Sequence, residues 1–370
     1  MPELNARPFG RFFVPGPTEV RPEVLAAMTR PMIGHRVKEM EQLIGHVQPQ
    51  LQKVFGTTRP VYISASSATG LMEGAVRNGA RKRVLSLVNG AFSGRFFHIA
   101  KANGLEADAV EVTWGEAHTP EMLEKALKHG GYDAVTVVHS ETSTGVLNPV
   151  RELAEVVHAA GDVVILVDTV SSMGGAEFRT DDWSIDFVLT GSQKSLALPP
   201  GLAFGVAQEQ ILERARGKAN RGTYFDFLEF EKNIQGNQTP NTPAVSLLFA
   251  LAAQMDLIEQ EGMEARLERH RTMAERVWSW VDRMREEQGL AMRVLAPEGY
   301  RSPTVSCITV PEGWTGPKLH AAVKEKGYEI ATGYGPMREQ SFRIGHMGDH
   351  TSGGVQQLLD VVEEVLLRGR

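Results

Sequence analysis

The chain has 370 residues, of which 42% are hydrophobic and 23% charged, so two globular domains are the natural expectation. Its formal net charge of −6 disfavours a nucleic-acid partner, and no apolar run reaches the length of a membrane span. The single cysteine, Cys307, excludes an intramolecular disulfide. The N-terminus lacks the pattern of a secretory signal, so we predict a cytoplasmic protein.

The first part of the chain predicts two helices, a strand and a third helix. Pro22 opens the first helix, since proline is favoured in a first helical turn, and residues 37–55 have helical spacing. A strand is predicted over residues 60–65 and is followed by a turn at 66–70. The turn leads into the helical segment LMEGAVRNG.

The turn at residues 66–70 is a candidate site for a phosphate group. Backbone N–H groups at a helix N-terminus bind phosphate, and hydroxyl groups add further donors. Ser67, Ala68 and Thr69 are therefore candidate ligands, although a serine or threonine here is also an ordinary helix cap. The turn lacks the GxxxxGK[ST] pattern, so a nucleotide-binding loop is not predicted.

Apolar strands alternate with helical segments through the centre of the chain. Several of the strands are continuously apolar, which is typical of parallel strands buried on both faces of a sheet. The alternation predicts an α/β architecture, in which ligands bind beyond the carboxyl ends of the strands. The strands are predicted to begin near residues 84, 134, 163 and 187, with helical segments near residues 97, 119 and 149.

Two charged residues follow neighbouring apolar segments of this region. Asp168 ends the run ILVD, and Lys194 follows the run FVLTGSQ. An amine and a carboxylate at the rim of one sheet suit pyridoxal 5′-phosphate as a cofactor. The amine forms a Schiff base with the cofactor aldehyde, and the carboxylate pairs with the ring nitrogen. A solvated lysine and a structural salt bridge of Asp168 are the alternatives.

The sequence changes character after about residue 245. Residues 243–289 are helical and rich in charge, like an arm that joins two bodies. The short strands TVSCITV, YEIATGY and FRIGHMG and a final helix, VQQLLDVVEEVLL, follow. We predict a large domain over residues 1–250 and a smaller α+β domain over residues 251–370.

Several other residues carry both a functional and a structural interpretation. Phe92 follows a predicted strand and either stacks on a flat ring or belongs to the core. Arg343 either binds a substrate carboxylate or lies on the surface. His346 and His350 leave a strand rather than share a helix face, so we predict no metal site. Cys307 lies in an alternating apolar segment and is predicted to be a small core residue.

Taken together, these residues resemble the class V aminotransferases, which are pyridoxal-phosphate enzymes of fold type I, over nearly the whole chain. The resemblance lies in the motifs PGPTEV, IGHR, HSETSTGVLNP, LVDTVSSMGG, TGSQK with LPPG, and FRIGHMGDHT. It is strongest to the serine–pyruvate, alanine–glyoxylate and serine–glyoxylate group. It implies a transaminase that moves the amino group of serine or alanine to glyoxylate or pyruvate.

The resemblance also implies roles for individual residues. Lys194 would hold the cofactor and then shuttle the substrate proton, while Asp168 would bind the ring nitrogen. Phe92 would stack on the ring, and Arg343 would clamp the substrate carboxylate. The remaining implied cofactor contacts are Ser67, Ala68, Thr69 and Gln193 at the phosphate, and Ser143, alone or with Thr142, near the ring hydroxyl.

A homodimer with active sites at the subunit interface is a further implication. In this family the phosphate is also reached from the neighbouring subunit, and the matching segment here is residues 237–242. Gln238, Thr239 and Thr242 are the candidates to reach across. Some relatives carry Ser-Gly-Ser-Gly at the phosphate turn, where this chain reads SASSA, a change that keeps the backbone donors.

Three alternative functions stay open on the sequence. One is a transaminase of the same group acting on phosphoserine or 2-aminoethylphosphonate, with Arg36, Arg95 or Arg338 binding the extra anion. Another is a lyase similar to a cysteine desulfurase, with Cys307 as its nucleophile. The third is a protein that retains the fold for subunit contacts alone, which the intact Lys194 argues against. The donor and acceptor stay open, because one selecting contact is worth only roughly 1–3 kcal/mol.

Overall fold

The structure is a computed structural model that describes residues 8–368. Its strands are β1 (Tyr62–Ser64), β2 (Arg83–Val88), β3 (Glu106–Glu111), β4 (Ala134–Val138), β5 (Ser140–Glu141), β6 (Val146–Leu147), β7 (Val164–Asp168), β8 (Phe187–Gly191), β9 (Ala203–Ala207), β10 (Val305–Thr309), β11 (Ala331–Thr332) and β12 (Ser341–Gly345). Its α-helices are α1 (Pro22–Ala27), α2 (Lys38–Phe55), α3 (Ala68–Gly79), α4 (Ala91–Ala102), α5 (Pro120–Leu127), α6 (Val150–Ala159), α7 (Glu209–Arg216), α8 (Phe227–Ile234), α9 (Val245–Glu261), α10 (Met263–Glu286), α11 (Gly316–Glu325) and α12 (Ser352–Arg368), with a 3₁₀ turn at Gly335–Met337.

A mostly parallel sheet of seven strands forms the centre of the molecule. Its spatial order is β1-β9-β8-β7-β4-β2-β3, and β9 is antiparallel to both of its neighbours. Strands β4, β7 and β8 are buried along their whole length, because side chains of both faces are covered by helices. This confirms the α/β architecture predicted from the continuously apolar strands.

The register of the central strands brings their carboxyl ends to one edge of the sheet. Asp168, the last residue of β7, lies beside Val138 of β4 and Leu189 of β8. Lys194 follows three residues after the end of β8, on the same edge. The predicted placement of the acid and the amine at neighbouring strand ends therefore holds in the fold.

The C-terminal part of the chain has its own sheet and its own apolar cluster. Strands β10, β12 and β11 form an antiparallel sheet in that order; helices α10 and α11 pack on it, and α12 packs against these two helices. Phe13, near the N-terminus, inserts into this second cluster and is fully buried there. The α+β character matches the predicted small domain, while the boundary at residue 250 stays a prediction.

Some elements differ from the sequence prediction. The helical stretch at residues 243–289 is two helices, α9 and α10, which meet at Gly262. Strand β3 was not predicted, because its sequence EADAVE is half polar and lies at the exposed edge of the sheet. Strand β9 and helices α7, α8 and α11 were also not predicted from the sequence.

A buried arginine of helix α10 connects the two parts of the molecule. The guanidinium of Arg266 donates to the carbonyl oxygens of Gly174 at 3.1 Å and Ser195 at 2.7 Å. It also donates to the carboxylates of Asp349, at 3.0 Å, and Glu261, at 2.8 Å. Because the charge is paired and its donors are satisfied, the guanidinium fixes the backbone next to Lys194 relative to the C-terminal segment.

Within residues 8–368, no helix combines the length and apolarity needed to cross a membrane.

Candidate active site

A cavity of about 310 Å³ lies beyond the carboxyl ends of β4, β7 and β8. A site at this edge is what the open parallel sheet predicts. Its volume is in the range of pockets that bind small molecules. It brings together, from separate parts of the chain, Ser67, Ala68, Thr69, Phe92, Asp168, Gln193 and Lys194, which are all residues predicted to bind the cofactor.

Lys194 places a buried primary amine in this cavity. Its Nζ donates hydrogen bonds to the carbonyl oxygen of Pro15 at 2.9 Å and to the hydroxyls of Thr142 and Ser171 at 3.0 Å each. Burial lowers the pKa of Lys194 from 10.5 to about 7, because a charged amine loses its hydration there. An amine with this pKa is partly neutral near pH 7 and can act as a nucleophile or a base.

The N-terminal turn at Pro15–Pro17 packs directly on this lysine. Gly16 has a φ of +105°, and a Cβ atom there would lie 2.9 Å from the Cγ of Lys194. The N–H of Thr18 donates to the carbonyl of Gln193 at 2.9 Å, and its hydroxyl donates to the carbonyl of Lys194 at 3.0 Å. A glycine is therefore required at position 16 both by the backbone angle and by the close approach.

Asp168 places a buried carboxylate in the same cavity. Its Oδ1 accepts a hydrogen bond of 2.7 Å from the N–H of Val170. Burial raises the pKa of Asp168 to about 7, although this hydrogen bond and the charge of Lys194 act in the other direction. A buried carboxylate in this state favours a cationic partner, and a protonated pyridine nitrogen is such a partner.

The N-terminus of helix α3 forms one end of the cavity. Ser67 is its N-cap residue, and no side-chain capping hydrogen bond is formed from it. The helix has 12 residues, so its first N–H groups and its dipole favour an anion at this end. Arg95 adds a positive charge there, since its Nη1 donates to the hydroxyl of Thr69 at 3.4 Å. The sequence indicated Arg95 only as a candidate for a substrate phosphate.

The ring of Phe92 forms an aromatic wall of the cavity. Its centroid lies 5.3 Å from the Nζ of Lys194 and 5.0 Å from the guanidinium carbon of Arg95. The ring of Tyr334 lies 5.5 Å away at an interplanar angle of 43°. Phe92 therefore faces the cavity and is not a residue of the hydrophobic core.

Ser143 is not among the residues that line the cavity, so its expected contact with the cofactor stays a prediction. Its hydroxyl donates to Glu141 at 2.6 Å and accepts from the N–H of Ala91 at 3.1 Å. The neighbouring Thr142 lines the cavity instead. The physical reason is the buried carboxylate of Glu141, which also accepts from the N–H of Phe92 at 3.1 Å and caps helix α4. Glu141 was not predicted as a site residue, although it lies in the motif HSETSTG.

Arg343 reaches the same region from strand β12 of the C-terminal sheet. Its Nε donates to the carbonyl of Thr332 at 3.0 Å, and its Nη1 donates to the carbonyl of Thr142 at 3.2 Å. Its guanidinium carbon lies 5.4 Å from the ring centroid of Tyr334. Burial lowers the pKa of Arg343 from its usual value, but a guanidinium stays charged and can hold a carboxylate.

The three residues predicted to reach a partner subunit lie outside the cavity of their own chain. Gln238 donates to Glu41 at 2.9 Å, and the buried Thr239 donates its hydroxyl to the carbonyl of Asn241 at 2.7 Å. Thr242 is exposed. Within one chain, these residues line a separate surface pocket or bind neighbouring side chains, so they do not complete the cavity.

Cys307, His346 and His350 are buried in the packed interior of the protein. Cys307 is fully buried, its thiol donates to the hydroxyl of Ser341 at 3.4 Å, and burial raises its pKa. His346 and His350 are both buried, and burial lowers the pKa of each to about 4. Among residues 8–368, no group of three His, Cys, Asp or Glu side chains is arranged to hold a metal ion.

The shifted pKa values of Asp168 and Lys194 predict how the stability of the cofactor-free protein depends on pH. From about pH 4 to 7 the folded state binds more protons at Asp168, so this residue lowers the free energy of unfolding as pH rises. From about pH 7 to 10 the unfolded chain binds more protons at Lys194, so this residue raises the free energy of unfolding as pH rises. Each slope is at most about 1.4 kcal/mol per pH unit.

Urea unfolding of the cofactor-free protein across this pH range measures both slopes. Relative to the wild type, Asp168→Asn should flatten the fall between pH 4 and 7, and Lys194→Met should flatten the rise above pH 7. Unfolding curves of both variants that run parallel to the wild type over the whole range would contradict the burial of these two charges.

Comparison with known proteins gives a consistent result. The sequence model of the aminotransferase class V family matches residues 20–336. The chain is 34% identical to a serine–glyoxylate aminotransferase of Methylorubrum extorquens, over 91% of this chain and 86% of the relative. It is also 34% identical to an L-aspartate–glyoxylate aminotransferase of Paracoccus denitrificans, over 92% of this chain and 86% of the relative.

A solved structure supports the same assignment. An alanine–glyoxylate aminotransferase from Nostoc sp. has a TM-score of 0.91 to this fold at 28% identity, covering 99% of this chain and 97% of that one. The fold, the motifs and the family match therefore agree. The chain belongs to the class V aminotransferases, the pyridoxal-phosphate-dependent family that its motifs resemble.

Proposed function

We propose that this protein binds pyridoxal 5′-phosphate in the 310 Å³ cavity and transfers the amino group of serine or alanine to glyoxylate or pyruvate. The observation that carries the proposal is the pair of buried groups, the Lys194 amine and the Asp168 carboxylate, on one cavity at neighbouring strand ends. The names of the relatives, which include serine–glyoxylate and alanine–glyoxylate aminotransferases, support small amino acids and glyoxylate as substrates.

The cavity has a suitable group for each part of the cofactor. The carboxylate of Asp168 would pair with the ring nitrogen, and Phe92 would stack on the ring. Thr142, rather than Ser143, would lie near the ring hydroxyl. The phosphate would be held by Ser67, Ala68, Thr69 and Gln193 at the N-terminus of helix α3. When bound, the cofactor supplies an electron sink that stabilises negative charge at the substrate α-carbon.

Lys194 has two tasks in this proposal. Its amine would hold the cofactor covalently, and in its free form the same amine would take the α-proton from the substrate and pass it on to the cofactor. A pKa of about 7 suits both tasks, since the neutral amine is well populated near neutral pH. The hydroxyls of Thr142 and Ser171 hold the Nζ atom in the cavity when it is not bonded to the cofactor.

Arg343 would bind the substrate carboxylate. It lies beside Thr142, whose hydroxyl contacts Lys194, so a carboxylate at Arg343 keeps the α-carbon near the amine. The hydrogen bonds that the structure gives Arg343 use Nε and Nη1, which leaves Nη2 for a substrate oxygen. A charge-assisted contact of this kind favours amino acids over amines without a carboxylate.

Replacing Arg343 with alanine should weaken the binding of amino donors. A hydrogen bond to a charged group is worth about 1.5–3 kcal/mol, so KM for serine or alanine should rise roughly 10- to 150-fold, with a smaller change in kcat. Steady-state kinetics with each donor measures the split. Arg293→Ala, which removes an exposed arginine of the same part of the molecule, is the matched control. An unchanged KM in Arg343→Ala would contradict the clamp.

A homodimer is part of the proposal. The segment at residues 237–242 would reach the cofactor phosphate of the partner subunit, and Thr242 is the favoured contact. The side chains of Gln238 and Thr239 already bind groups of their own subunit, whereas Thr242 is exposed. Sedimentation velocity distinguishes a dimer from a monomer. The cytoplasmic location stays a prediction.

The alternative substrates receive less support from the cationic residues. Arg36 donates to the carbonyl oxygens of Thr239, at 2.7 Å, and Pro240, at 3.1 Å. Arg95 lies at the cofactor end of the cavity, and the side chain of Arg338 is 68% exposed. None of the three therefore forms a second anion pocket beside Arg343. A lyase similar to a desulfurase is disfavoured, because the buried thiol of Cys307 has a raised pKa.

A substrate panel tests the proposed function. Serine, alanine, phosphoserine and aspartate would each be paired with glyoxylate, pyruvate and 2-oxoglutarate, and the product 2-oxo acid measured. We expect the highest kcat/KM with serine or alanine as donor and glyoxylate or pyruvate as acceptor. The highest value with phosphoserine or aspartate would overturn the substrate assignment, and no transamination with any pair would overturn the function.

A further inference from the structure

A closed chain of contacts surrounds the space between the Lys194 amine and the Arg343 guanidinium. The Nζ of Lys194 is 5.3 Å from the centroid of Phe92, which is 5.5 Å from that of Tyr334, which is 5.4 Å from the guanidinium carbon of Arg343. Thr142 completes the circle, since its carbonyl accepts from Arg343 at 3.2 Å and its hydroxyl from Lys194 at 3.0 Å. A donor whose carboxylate binds Arg343 and whose α-carbon lies at the Lys194 amine would therefore lie against these side chains.

Tyr334 is the member of the circle that borders solvent. It is 37% exposed, whereas Lys194, Thr142 and Arg343 are buried and Phe92 is half-buried. The face of the tyrosine ring covers the guanidinium of Arg343, a cation–π contact that favours one position of the charge. The tyrosine side chain is therefore both the outer wall of the substrate space and a support for the carboxylate-binding group.

The loop that carries Tyr334 is closely packed at the glycines on either side of it. A Cβ atom on Gly333 would come within 2.0 Å of the carbonyl oxygen of Met337, so the loop closes tightly on itself. Gly335 has a φ of +51°, and a Cβ atom there would lie 3.2 Å from the indole of Trp114. The backbone on both sides of Tyr334 is thus closely packed, which limits how far the loop can shift.

The stereochemistry of an α-amino acid then gives the direction of the substrate side chain. Removal of the α-proton by Lys194 requires the C–H bond to point at the Nζ atom, and the carboxylate is taken by Arg343. With the amino group on the cofactor, the side chain of the donor would leave the α-carbon away from Lys194, toward the side of the circle that borders solvent. That side is covered by the ring of Tyr334.

We propose that Tyr334 determines which amino donors are accepted, by limiting the length of the donor side chain. The inference rests on the proposed function and adds the residue that selects small donors. On this proposal a methyl or hydroxymethyl group would fit beneath the ring, whereas each further methylene would displace the ring or the guanidinium behind it. One methylene in a well-packed pocket changes discrimination by roughly 10- to 200-fold.

The experiment compares Tyr334→Ala and Tyr334→Phe in the cofactor-loaded enzyme. The ratio of kcat/KM for norvaline to that for alanine should rise at least roughly tenfold in Tyr334→Ala. It should stay within about twofold of the wild type in Tyr334→Phe, because phenylalanine keeps the ring. The rise should come mainly from KM of norvaline. An unchanged ratio in Tyr334→Ala, or the same increase in Tyr334→Phe, would overturn the role of the ring.

A binding measurement supplies a readout that does not depend on turnover. Propanoate and pentanoate carry the carboxylate but no amino group, and their dissociation constants can be measured by calorimetry with the loaded enzyme. In Tyr334→Ala the affinity for pentanoate relative to propanoate should rise at least roughly tenfold, and in Tyr334→Phe and Arg293→Ala this ratio of affinities should not rise. If the wild type is active and Tyr334→Ala binds pentanoate and propanoate in the same ratio as the wild type does, this inference alone is overturned. A wild type inactive toward every donor would overturn the proposed function, and the binding ratio would still test Tyr334.

Discussion

Replacement of Lys194 with alanine is expected to remove nearly all transaminase activity. The variant loses the amine that we propose both to hold the cofactor covalently and to move the substrate proton. Positioned proton transfer alone contributes roughly 10²–10⁴-fold to a rate, so kcat should fall by at least that range. The visible absorbance of the lysine-bound cofactor should disappear as well. Stopped-flow and steady-state assays with the amino donor preferred by the wild type measure the fall in kcat. A spectrum of the cofactor-loaded protein measures the loss of absorbance.

A second lysine provides the matched control for this experiment. Lys218 is half-buried, its amine donates to the carbonyl of Ala80, and burial lowers its pKa, but it lies outside the cavity. Lys218→Ala should leave both kcat and the spectrum of the loaded enzyme unchanged. If Lys194→Ala retained wild-type turnover, or if Lys218→Ala lost the absorbance instead, the identity of the anchoring amine would be wrong.

Asp168→Asn is expected to reduce kcat by roughly 10²–10³-fold. Asparagine keeps the shape and can still accept the hydrogen bond from Val170, but it cannot stabilise a protonated ring nitrogen. Loss of one preorganised electrostatic partner in a buried site costs about 2.7–4 kcal/mol of transition-state stabilisation. The effect should appear in kcat more than in KM, because the charge on the ring matters most when the α-carbon becomes electron-rich.

Asp186 is a suitable control for this substitution. It is a buried carboxylate whose pKa is raised by burial to about 6, and it accepts a hydrogen bond of 2.8 Å from the N–H of Ile165. It precedes strand β8, at the edge of the sheet opposite to Asp168. Asp186→Asn should therefore alter stability but leave kcat within about twofold. If Asp168→Asn and Asp186→Asn lost kcat equally, the loss would reflect a buried amide in general, and the specific role of Asp168 would be wrong.

The central architecture was predictable because it follows from local and repetitive features of the sequence. The apolar strands β4, β7 and β8 and the helices between them indicate a parallel sheet, and such a sheet carries its ligands at the carboxyl ends. Asp168 and Lys194 stand out because a charged side chain next to a buried strand is costly unless it has a partner. The motif resemblance then gave the family, which the comparisons confirm.

Other parts of the site depend on contacts between distant segments, which no local pattern encodes. Ser143 and Thr142 are adjacent in sequence, and only the buried Glu141, bound to the start of helix α4, decides which of them faces the cavity. Tyr334 has no signal of its own in the sequence, because its position depends on the packing of its loop against Trp114. Arg95 carried a signal for anion binding, but its proximity to Thr69 could be found only in three dimensions.

The most direct test of the account is chemical trapping of the cofactor on the chain. The loaded enzyme would be reduced with borohydride, which makes the bond between the cofactor aldehyde and a lysine permanent, then digested and analysed by peptide mass spectrometry. We predict that the cofactor mass is found on the peptide that contains Lys194. A cofactor mass on any other lysine, or none after saturation with pyridoxal 5′-phosphate, would contradict the central claim.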